Sequence, residues 1–157
     1  MKNCNSSMQL TRAADYGVRV MIYLAGRAEG ERTMLPTLAE ATGTPMSFLS
    51  KVLQALARAQ LITSWRGKAG GFAILPAGRS ASMLDVIEAV DGPIVLNTCL
   101  ISGESCGRKK HCPAHPVWVR AQQAMLDVLT EASIAVLAGG EAAAPISGQF
   151  VALNGRR

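Results

Sequence analysis

The stretch LPTLAEATGTPMSFLSKVLQALARAQLITSWRGKAGGFAIL, residues 35–75, contains the pattern that decides the fold. A short apolar face around Leu38 ends at Gly43, which predicts a short helix and a turn. A longer helix is then predicted, with Thr44 as its cap and Pro45 at its first position, where a missing N–H costs nothing. Its apolar stripe consists of Met46, Leu49, Val52, Leu53 and Leu56. Two helices joined by a glycine turn predict a helix-turn-helix, although the same spacing fits an ordinary αα-hairpin.

A basic β-hairpin is predicted directly after these two helices. The segments LITSW and FAIL are typical of short strands, and they flank the loop RGKAGG, residues 66–71. Its three glycines permit a tight turn with positive φ, and Arg66 and Lys68 give the turn its charge. A charged hairpin after a helix-turn-helix indicates a winged helix. A phosphate-binding P-loop is excluded, because that motif requires Gly-x4-Gly-Lys-Ser/Thr at the start of a helix and this loop precedes a strand.

Helices are also predicted on both sides of this unit. Thr11 is the expected cap of a first helix, whose apolar residues from Ala14 onwards recur with helical spacing until the sequence GRAEGE. Ser82 and Asp85 form a capping-box pattern before a connecting helix. The sequence DGP, residues 91–93, is expected to end that helix.

A last helix is predicted from Pro116. Its apolar residues recur every three or four positions, at Val117, Ala121, Met125, Val128, Ala132 and Val136. This helix can pack on the first helix of its own chain or on a second subunit, and we expect it to be the dimerisation element. The elements together predict a mainly α fold with a small β-hairpin, a winged helix-turn-helix plus a long C-terminal dimerisation helix.

The charge of the chain is concentrated in its first half. The formal net charge is +5, and residues 1–80 contain ten Lys and Arg against four Asp and Glu, whereas residues 81–157 contain six against seven. The asymmetry indicates a polyanionic partner, most simply nucleic acid, although a solvated basic surface explains it equally well. Residues 1–80 are therefore assigned to an N-terminal extension and the winged helix-turn-helix DNA-binding region. Residues 81–138 hold the connecting helix, a cysteine loop and the dimerisation helix, and residues 139–157 are expected to be a disordered tail.

Several classes of protein are not expected from this sequence. No run approaches the roughly 18 apolar residues of a membrane helix. The start, MKNCNSSMQL, lacks an apolar signal core, so a cytoplasmic protein without membrane association is expected. An enzyme is not expected, since there is no nucleophile elbow and no HExxH motif, and both histidines lie near the cysteines. In the cytoplasm, cysteines are more often metal ligands or reactive thiols than disulfides.

The sequence TCLISGESCGRKKHCPAH, residues 98–115, contains three of the four cysteines and both histidines. Six residues separate Cys99 from Cys106 and five separate Cys106 from Cys112, which are wider gaps than those of zinc knuckles. Wide gaps let a flexible loop surround a larger object, such as an iron–sulfur cluster held by thiolates, and the basic residues 108–110 would offset its negative charge. Three free thiols and a zinc site stay open as alternatives.

Several features together resemble one family of bacterial regulators. The segment MQLTRAADYGVRVMIYLA, the helix-turn-helix, the wing RGKAGGFAIL and the three spaced cysteines are similar to those of the Rrf2 family of transcriptional regulators, in the same order over residues 8–138. The similarity extends to members that hold an iron–sulfur cluster, an iron–sulfur assembly regulator and a nitric-oxide-sensing repressor. It implies a 2Fe–2S or 4Fe–4S cluster, although the first cysteine gap is six residues here and often five in the family.

The resemblance also implies a set of ligands. Cys99, Cys106 and Cys112 match the three cysteines of the family. The sequence HCPAHPVW is similar to that of the assembly regulator, which makes His115 the expected fourth ligand. The alternative is Asp15, which matches the position that completes the cluster from the partner subunit in a nitric-oxide sensor.

The predicted recognition helix, residues 45–58, would read DNA with the face opposite its apolar stripe. That face presents small polar and basic side chains that suit base edges and phosphates in a major groove: Ser47, Ser50, Lys51 and Gln54. Phe48 either touches a thymine methyl group or packs partly into the core. Arg66 and Lys68 would contact phosphates or a minor groove, and Arg12 would add a phosphate contact.

These features predict a homodimeric transcriptional regulator that binds a pseudo-palindromic, double-stranded operator. Its affinity for the operator would be controlled by an iron–sulfur cluster that senses redox state, nitric oxide or iron–sulfur status. A thiol- or zinc-based regulator without a cluster is the alternative. An iron–sulfur electron carrier would leave the helix-turn-helix and the basic wing unexplained.

Overall fold

The computed structural model describes residues 10–67, 70–101 and 111–140. In chain order the elements are α1 (Arg12–Ala25), α2 (Leu35–Thr42), α3 (Met46–Arg58), β1 (Ile62–Trp65), β2 (Gly71–Ile74), α4 (Pro76–Ser80), α5 (Met83–Asp91), a 3₁₀ turn (Thr98–Leu100), α6 (His115–Glu131) and α7 (Ile134–Ala138). The two strands form one antiparallel hairpin. The predicted mainly α fold with a small β-hairpin is therefore confirmed. Within the described ranges, no helix is long and apolar enough to cross a bilayer.

Helix α1 lies at the centre of the core. Helices α2, α3, α5 and α7 all pack against it, so more than one of its faces must be apolar. Its buried residues are Ala14, Gly17, Val18, Val20, Met21, Leu24 and Ala25. The predicted cap of α1 is confirmed, because the Thr11 hydroxyl accepts hydrogen bonds from the N–H groups of Ala13 and Ala14 at 3.1 and 3.3 Å.

Helices α2 and α3 form the predicted helix-turn-helix. Gly43 ends α2 with φ 62° and ψ 28°, a left-handed conformation that favours glycine. Pro45 is the cap residue of α3, so the predicted cap at Thr44 is wrong by one position. The Thr44 hydroxyl is instead buried 2.9 Å from the Thr42 hydroxyl, where it stabilises the turn. Met46, the first residue of the predicted apolar stripe, is 51% exposed.

The wing is held against the helices at its base. Strands β1 and β2 pair as predicted, and Gly67 adopts φ 93° at the turn. Thr33, just before α2, exchanges two backbone hydrogen bonds with Phe72 of β2, both 2.9 Å long. The Arg32 guanidinium lies 4.2 Å from the centre of the Trp65 ring on β1. These non-local contacts, absent from the sequence prediction, fix the position of the hairpin relative to α2.

The connecting helix α5 has the predicted ends. The Ser82 hydroxyl accepts from the Asp85 N–H at 3.1 Å, and the Asp85 carboxylate accepts from the Ser82 N–H at 2.8 Å. This reciprocal pair is the capping box that the sequence predicts. At the other end, α5 stops at Asp91, and Gly92 follows with φ 83°.

The predicted continuous last helix is wrong over its final turns. Helix α6 ends at Glu131, and the chain turns before α7 begins. The turn is fixed because the Met83 N–H donates to the Ala132 carbonyl at 2.8 Å and the Ile134 N–H donates to the Ala81 carbonyl at 3.0 Å. Ile134 is fully buried, and α7 packs on α1 of the same chain. Within the described chain, α7 therefore packs on α1, and α6 packs on α5.

Candidate functional site

The outward face of α3 presents the side chains expected to contact DNA. The opposite face is buried at Leu49, Val52, Leu53, Ala55 and Leu56. The expected contacts are all exposed, namely Ser47, Ser50, Lys51 and Gln54. The Ser50 hydroxyl donates to the Met46 carbonyl at 3.3 Å, which leaves its lone pairs available to donors on a base. Burial thus orients α3 so that its polar face can enter a major groove.

Arg58 extends the same polar face, although the sequence prediction omits it. It lies four residues after Gln54 and seven after Lys51, so the three side chains point to one side of the helix. It is exposed and lines a shallow groove with Ser47, Lys51 and Phe48. The helical spacing is the signal that identifies it. An arginine there can contact a phosphate beside the bases that α3 faces.

Phe48 connects α3 to the exposed surface of α1. Its ring is 51% exposed, and its centroid lies 6.2 Å from that of Tyr16, with the rings inclined at 62°. The Arg19 guanidinium lies 6.0 Å from the Tyr16 ring and forms an ion pair with Asp15 at 2.8 Å. Phe48 is therefore partly packed, as one of the two sequence expectations has it, and its exposed half stays accessible to DNA. The sequence prediction misses Tyr16, because the pair joins two helices.

The remaining predicted DNA contacts lie outside α3. Arg66 in the wing turn and Arg12 at the start of α1 are exposed, and Lys68 lies outside the described residues. Arg12 follows the cap residue Thr11, whose N–H and hydroxyl donate to the Asp91 carboxylate at 3.2 and 2.7 Å. This contact ties the start of α1 to the end of α5, and hence to the segment that leads to the cysteine loop.

Both ends of the cysteine loop lie in the described part of the chain. Cys99, in the 3₁₀ turn, and Cys112, just before α6, are half-buried free thiols. Cys106 lies outside the described residues. His115 is the first residue of α6, and its backbone N–H donates to the Cys112 carbonyl at 3.1 Å. This backbone hydrogen bond places Cys112 and His115 one turn apart along the chain.

The His115 imidazole carries a buried polar atom without a partner. No described residue forms a hydrogen bond to its Nδ1. A buried nitrogen left unpaired costs about 1–3 kcal/mol, which a ligand or metal at that atom would remove. The other histidine of the loop, His111, is exposed. Thiolates with one imidazole are a donor set that iron–sulfur clusters use, so the residues fit such a group by their chemistry.

The described residues alone do not make a metal site. Among residues 10–67, 70–101 and 111–140, no group of three or more His, Cys, Asp or Glu side chains is placed to hold a metal ion. The structure therefore does not bring Cys99, Cys112 and His115, which all lie in these ranges, together as a metal-binding group, and Cys106 lies outside the ranges. Asp15, the alternative fourth ligand, is half-exposed, and its Oδ2 is paired with Arg19 at 2.8 Å, so a metal at that oxygen would compete with the ion pair.

The segment that carries Cys99 is attached to α6 by one side chain. The Gln122 Oε1 accepts from the Leu96 N–H at 2.8 Å, and the Gln122 Nε2 donates to the Ile94 carbonyl at 2.6 Å. Gln122 is half-buried. No sequence motif marks it, because its partners lie 26 and 28 residues away.

Helix α6 has a second apolar face that the described part of its own chain leaves uncovered. Val117 is 64% exposed and Val128 is 38% exposed, and the small residues Ala121 and Ala124 between them are also exposed. The half-buried side chains on its other apolar face are Trp118, Gln122, Met125, Leu126 and Leu129. None of the side chains of α6 is fully buried. Most of the stripe predicted for the last helix is thus the exposed face, as a dimerisation element requires.

Comparison with known proteins identifies the family. The Rrf2 family model, described as an iron-dependent transcriptional regulator, matches residues 10–140. An HTH-type transcriptional regulator of Mycobacterium tuberculosis, Rv1287, is 32% identical over 133 residues, which cover 85% of this chain and 83% of that protein.

Solved structures share the fold. CymR of Staphylococcus aureus is 30% identical with a TM-score of 0.60, over 82% of this chain and 96% of that one. CymR of Bacillus subtilis, described as the global cysteine regulator, gives a TM-score of 0.65 at 24% identity, over 84% and 97%. IscR of T. potens gives 0.62 at 22% identity, over 90% and 94%. These likenesses confirm the winged-helix architecture, and the chain belongs to the Rrf2 family of transcriptional regulators.

Proposed function

We propose that this DNA-binding regulator acts as a homodimer whose affinity for its operator is set by an iron–sulfur cluster. Cys99, Cys106 and Cys112 would hold the cluster, with His115 as the fourth ligand. The observation that carries this proposal is the buried Nδ1 of His115, which has no hydrogen-bond partner among residues 10–67, 70–101 and 111–140 and belongs to a residue one turn after Cys112. A structural histidine in a core normally pairs both ring nitrogens or exposes one to water.

The DNA interface of the proposal is the polar face of α3 with the wing. Ser47, Lys51, Gln54 and Arg58 would approach base edges and phosphates, and Arg66 would contact the backbone beside them. A single module of this size reads few base pairs, so two copies related by a two-fold axis are expected on a pseudo-palindromic operator. The support for two copies is the uncovered apolar face of α6, which begins at Val117.

In this proposal, the cysteine loop would influence the dimer through α6. Cys112 is joined directly to α6, and the segment before Cys99 is bound to the same helix through Gln122. A bound cluster would supply a centre that reacts with oxidants and nitric oxide. Release of Cys99 or Cys112 would change how this segment rests on α6, and with it the spacing of the two α3 helices. The two arrangements would differ in operator affinity only by the difference in their binding of the cluster.

A thiol-based regulator is a second candidate. Cys99 and Cys112 are free and half-buried, so both are accessible to an oxidant. A second solved structure of S. aureus CymR shows its oxidized form, and the comparison with that structure gives a TM-score of 0.61 at 29% identity. For such a regulator, oxidation of the thiols would alter the affinity for DNA, and no iron would be required.

The two candidates are separated by anaerobic purification of the wild type, His115→Ala, His111→Ala and Cys106→Ser. The cluster proposal expects iron, sulfide and visible absorbance in the wild type and in His111→Ala, and their loss in Cys106→Ser. It expects His115→Ala to lose the absorbance faster than His111→Ala, the matched control with an exposed histidine. Wild-type protein without iron or sulfide, whose binding to a selected duplex changes on oxidation, would instead support the thiol-based regulator.

A further inference from the structure

A pair of hydrogen bonds from one amide side chain attaches the arm that carries Cys99 to α6. Gln122 accepts from the Leu96 N–H at 2.8 Å and donates to the Ile94 carbonyl at 2.6 Å. The side-chain amide presents one acceptor and two donors, so it can pair with an N–H and a carbonyl of the same backbone segment. Cys99 follows Leu96 by three residues, within the 3₁₀ turn. We call residues 94–99 the cysteine arm.

Gln122 lies on the face of α6 that also carries His115. The two residues are seven positions apart, which at 1.5 Å per residue is about 10.5 Å along the helix. Cys112 is joined to the same end of α6, and the His115 N–H donates to its carbonyl at 3.1 Å. Helix α6 thus supports both described thiols, Cys112 through its first turn and Cys99 through Gln122.

We infer that Gln122 is a positioning residue for the cysteine site. This role of Gln122 rests on the proposed function, because Cys99 is one of the proposed cluster ligands, but it does not require a particular type of cluster. We call the two hydrogen bonds of Gln122 to the cysteine arm the clamp. Without the clamp, the chain between α5 and α6 would have to become ordered each time the site binds its ligand, and the entropy lost in that step would weaken ligand binding. With these two bonds, the segment that carries Cys99 is held against α6, the helix that begins at His115, before any ligand is bound. Removing partners that orient a metal ligand commonly costs about ten- to a hundred-fold in affinity.

The neighbouring glutamine provides a matched control. Gln123 is exposed, and its Nε2 donates to Asp127 of the same helix at 2.7 Å. Gln122→Met removes both bonds to the cysteine arm while keeping the length and helix propensity of the side chain. Gln123→Met makes the same chemical change on a face that does not touch the arm.

Two measurements on these variants test the inference. The first is the rate at which iodoacetamide modifies Cys99 in protein freed of iron, followed by mass spectrometry together with hydrogen exchange of residues 94–101. Gln122→Met should raise both rates several-fold over the wild type and Gln123→Met. The second is the rate at which the visible absorbance of anaerobically purified protein is lost to an iron chelator, which should rise about ten-fold in Gln122→Met alone.

The outcomes separate this inference from the cluster proposal. Equal alkylation and exchange in Gln122→Met and Gln123→Met would overturn the clamp. Faster alkylation with an unchanged rate of absorbance loss would overturn its role in the site. A wild type that contains no iron or sulfide would refute the cluster, while the alkylation rates still decide whether Gln122 positions Cys99. Should Gln122→Met unfold below the assay temperature, Gln122→Glu, which keeps the bond from the Leu96 N–H, takes its place with Gln123→Glu as control.

Discussion

Asp91→Ala should destabilise the chain, even though the Asp91 side chain is exposed. Its carboxylate accepts from the Thr11 N–H at 3.2 Å and from the Thr11 hydroxyl at 2.7 Å. Because the hydroxyl proton points to Asp91, the oxygen lone pairs face the N–H groups of Ala13 and Ala14 at 3.1 and 3.3 Å. Asp91 therefore orients the cap of the central helix α1 while it holds the end of α5 beside it.

Two opposing effects set the size of the change. Hydrogen bonds to an ionised acceptor are worth more than neutral ones, but solvent screening at this exposed site reduces each of the two to about 1 kcal/mol. The carboxylate also stands at the C-terminal end of α5, where the helix dipole disfavours a negative charge by about 0.5 kcal/mol. The hydrogen bonds prevail, so Asp91→Ala should lower the free energy of unfolding by about 1.5 kcal/mol.

Urea unfolding followed by circular dichroism measures this difference. At a slope of about 2 kcal/mol per molar, the midpoint should fall by roughly 0.8 M. Glu88→Ala is the control, because Glu88 is an exposed carboxylate in the last turn of α5 and its removal should leave stability unchanged or slightly raised. Asp91→Asn keeps one carbonyl oxygen that can accept from Thr11, so its midpoint should lie between those of Asp91→Ala and Glu88→Ala. A midpoint for Asp91→Ala at or above that of Glu88→Ala would refute the reasoning.

Three further results are expected. Ile134→Ala should cost about 2–5 kcal/mol in the same assay, because this side chain is fully buried between α7 and α1, whereas Val136→Ala, 42% exposed, should be near neutral. Val128→Lys should convert the proposed dimer to a monomer in light scattering after gel filtration, and a variant that stays dimeric would show that this face of α6 is not the interface. Arg58→Ala should weaken binding to a selected duplex similarly for all sequences and reduce the slope of log affinity against log salt by about 0.9, measured by fluorescence anisotropy, whereas an unchanged slope would exclude a phosphate contact.

Features that depend on residues within one or two turns could be predicted from the sequence. The cap at Thr11, the glycine turn at Gly43 and the capping box at Ser82 each rest on groups no more than four positions apart. The polar face of α3 followed from the same helical spacing that identifies its buried face. The same spacing could have predicted Arg58 as part of the polar face, because Arg58 lies one turn after Gln54.

Contacts between distant segments could not be predicted. The break between α6 and α7 arises because Ala132 and Ile134 bind the backbone around Ser82, and no local breaker such as proline marks that turn. Asp91 binds a residue 80 positions away, and the partners of Gln122 lie 26 and 28 positions before it. The positions of the cysteines predicted metal or thiol chemistry, whereas the hydrogen bonds from Gln122 to the segment before Cys99 were found only in the structure.

Helix α6 shows how one such contact changes the interpretation of an apolar pattern. At 100° per residue, the exposed stripe from Val117 to Val128 and the half-buried face with Trp118 and Gln122 are centred about 110° apart, so they are neighbouring rather than opposite faces. Because Gln122 is polar, the sequence does not mark its face of α6 as buried, although the chain itself partly covers that face. The exposed apolar stripe would be available to a second copy. A partner docked on that stripe would not displace the cysteine arm from Gln122. On the proposed function, the cysteine site and the dimer could therefore exist together, and a change at Cys99 would shift α6 without separating the two subunits.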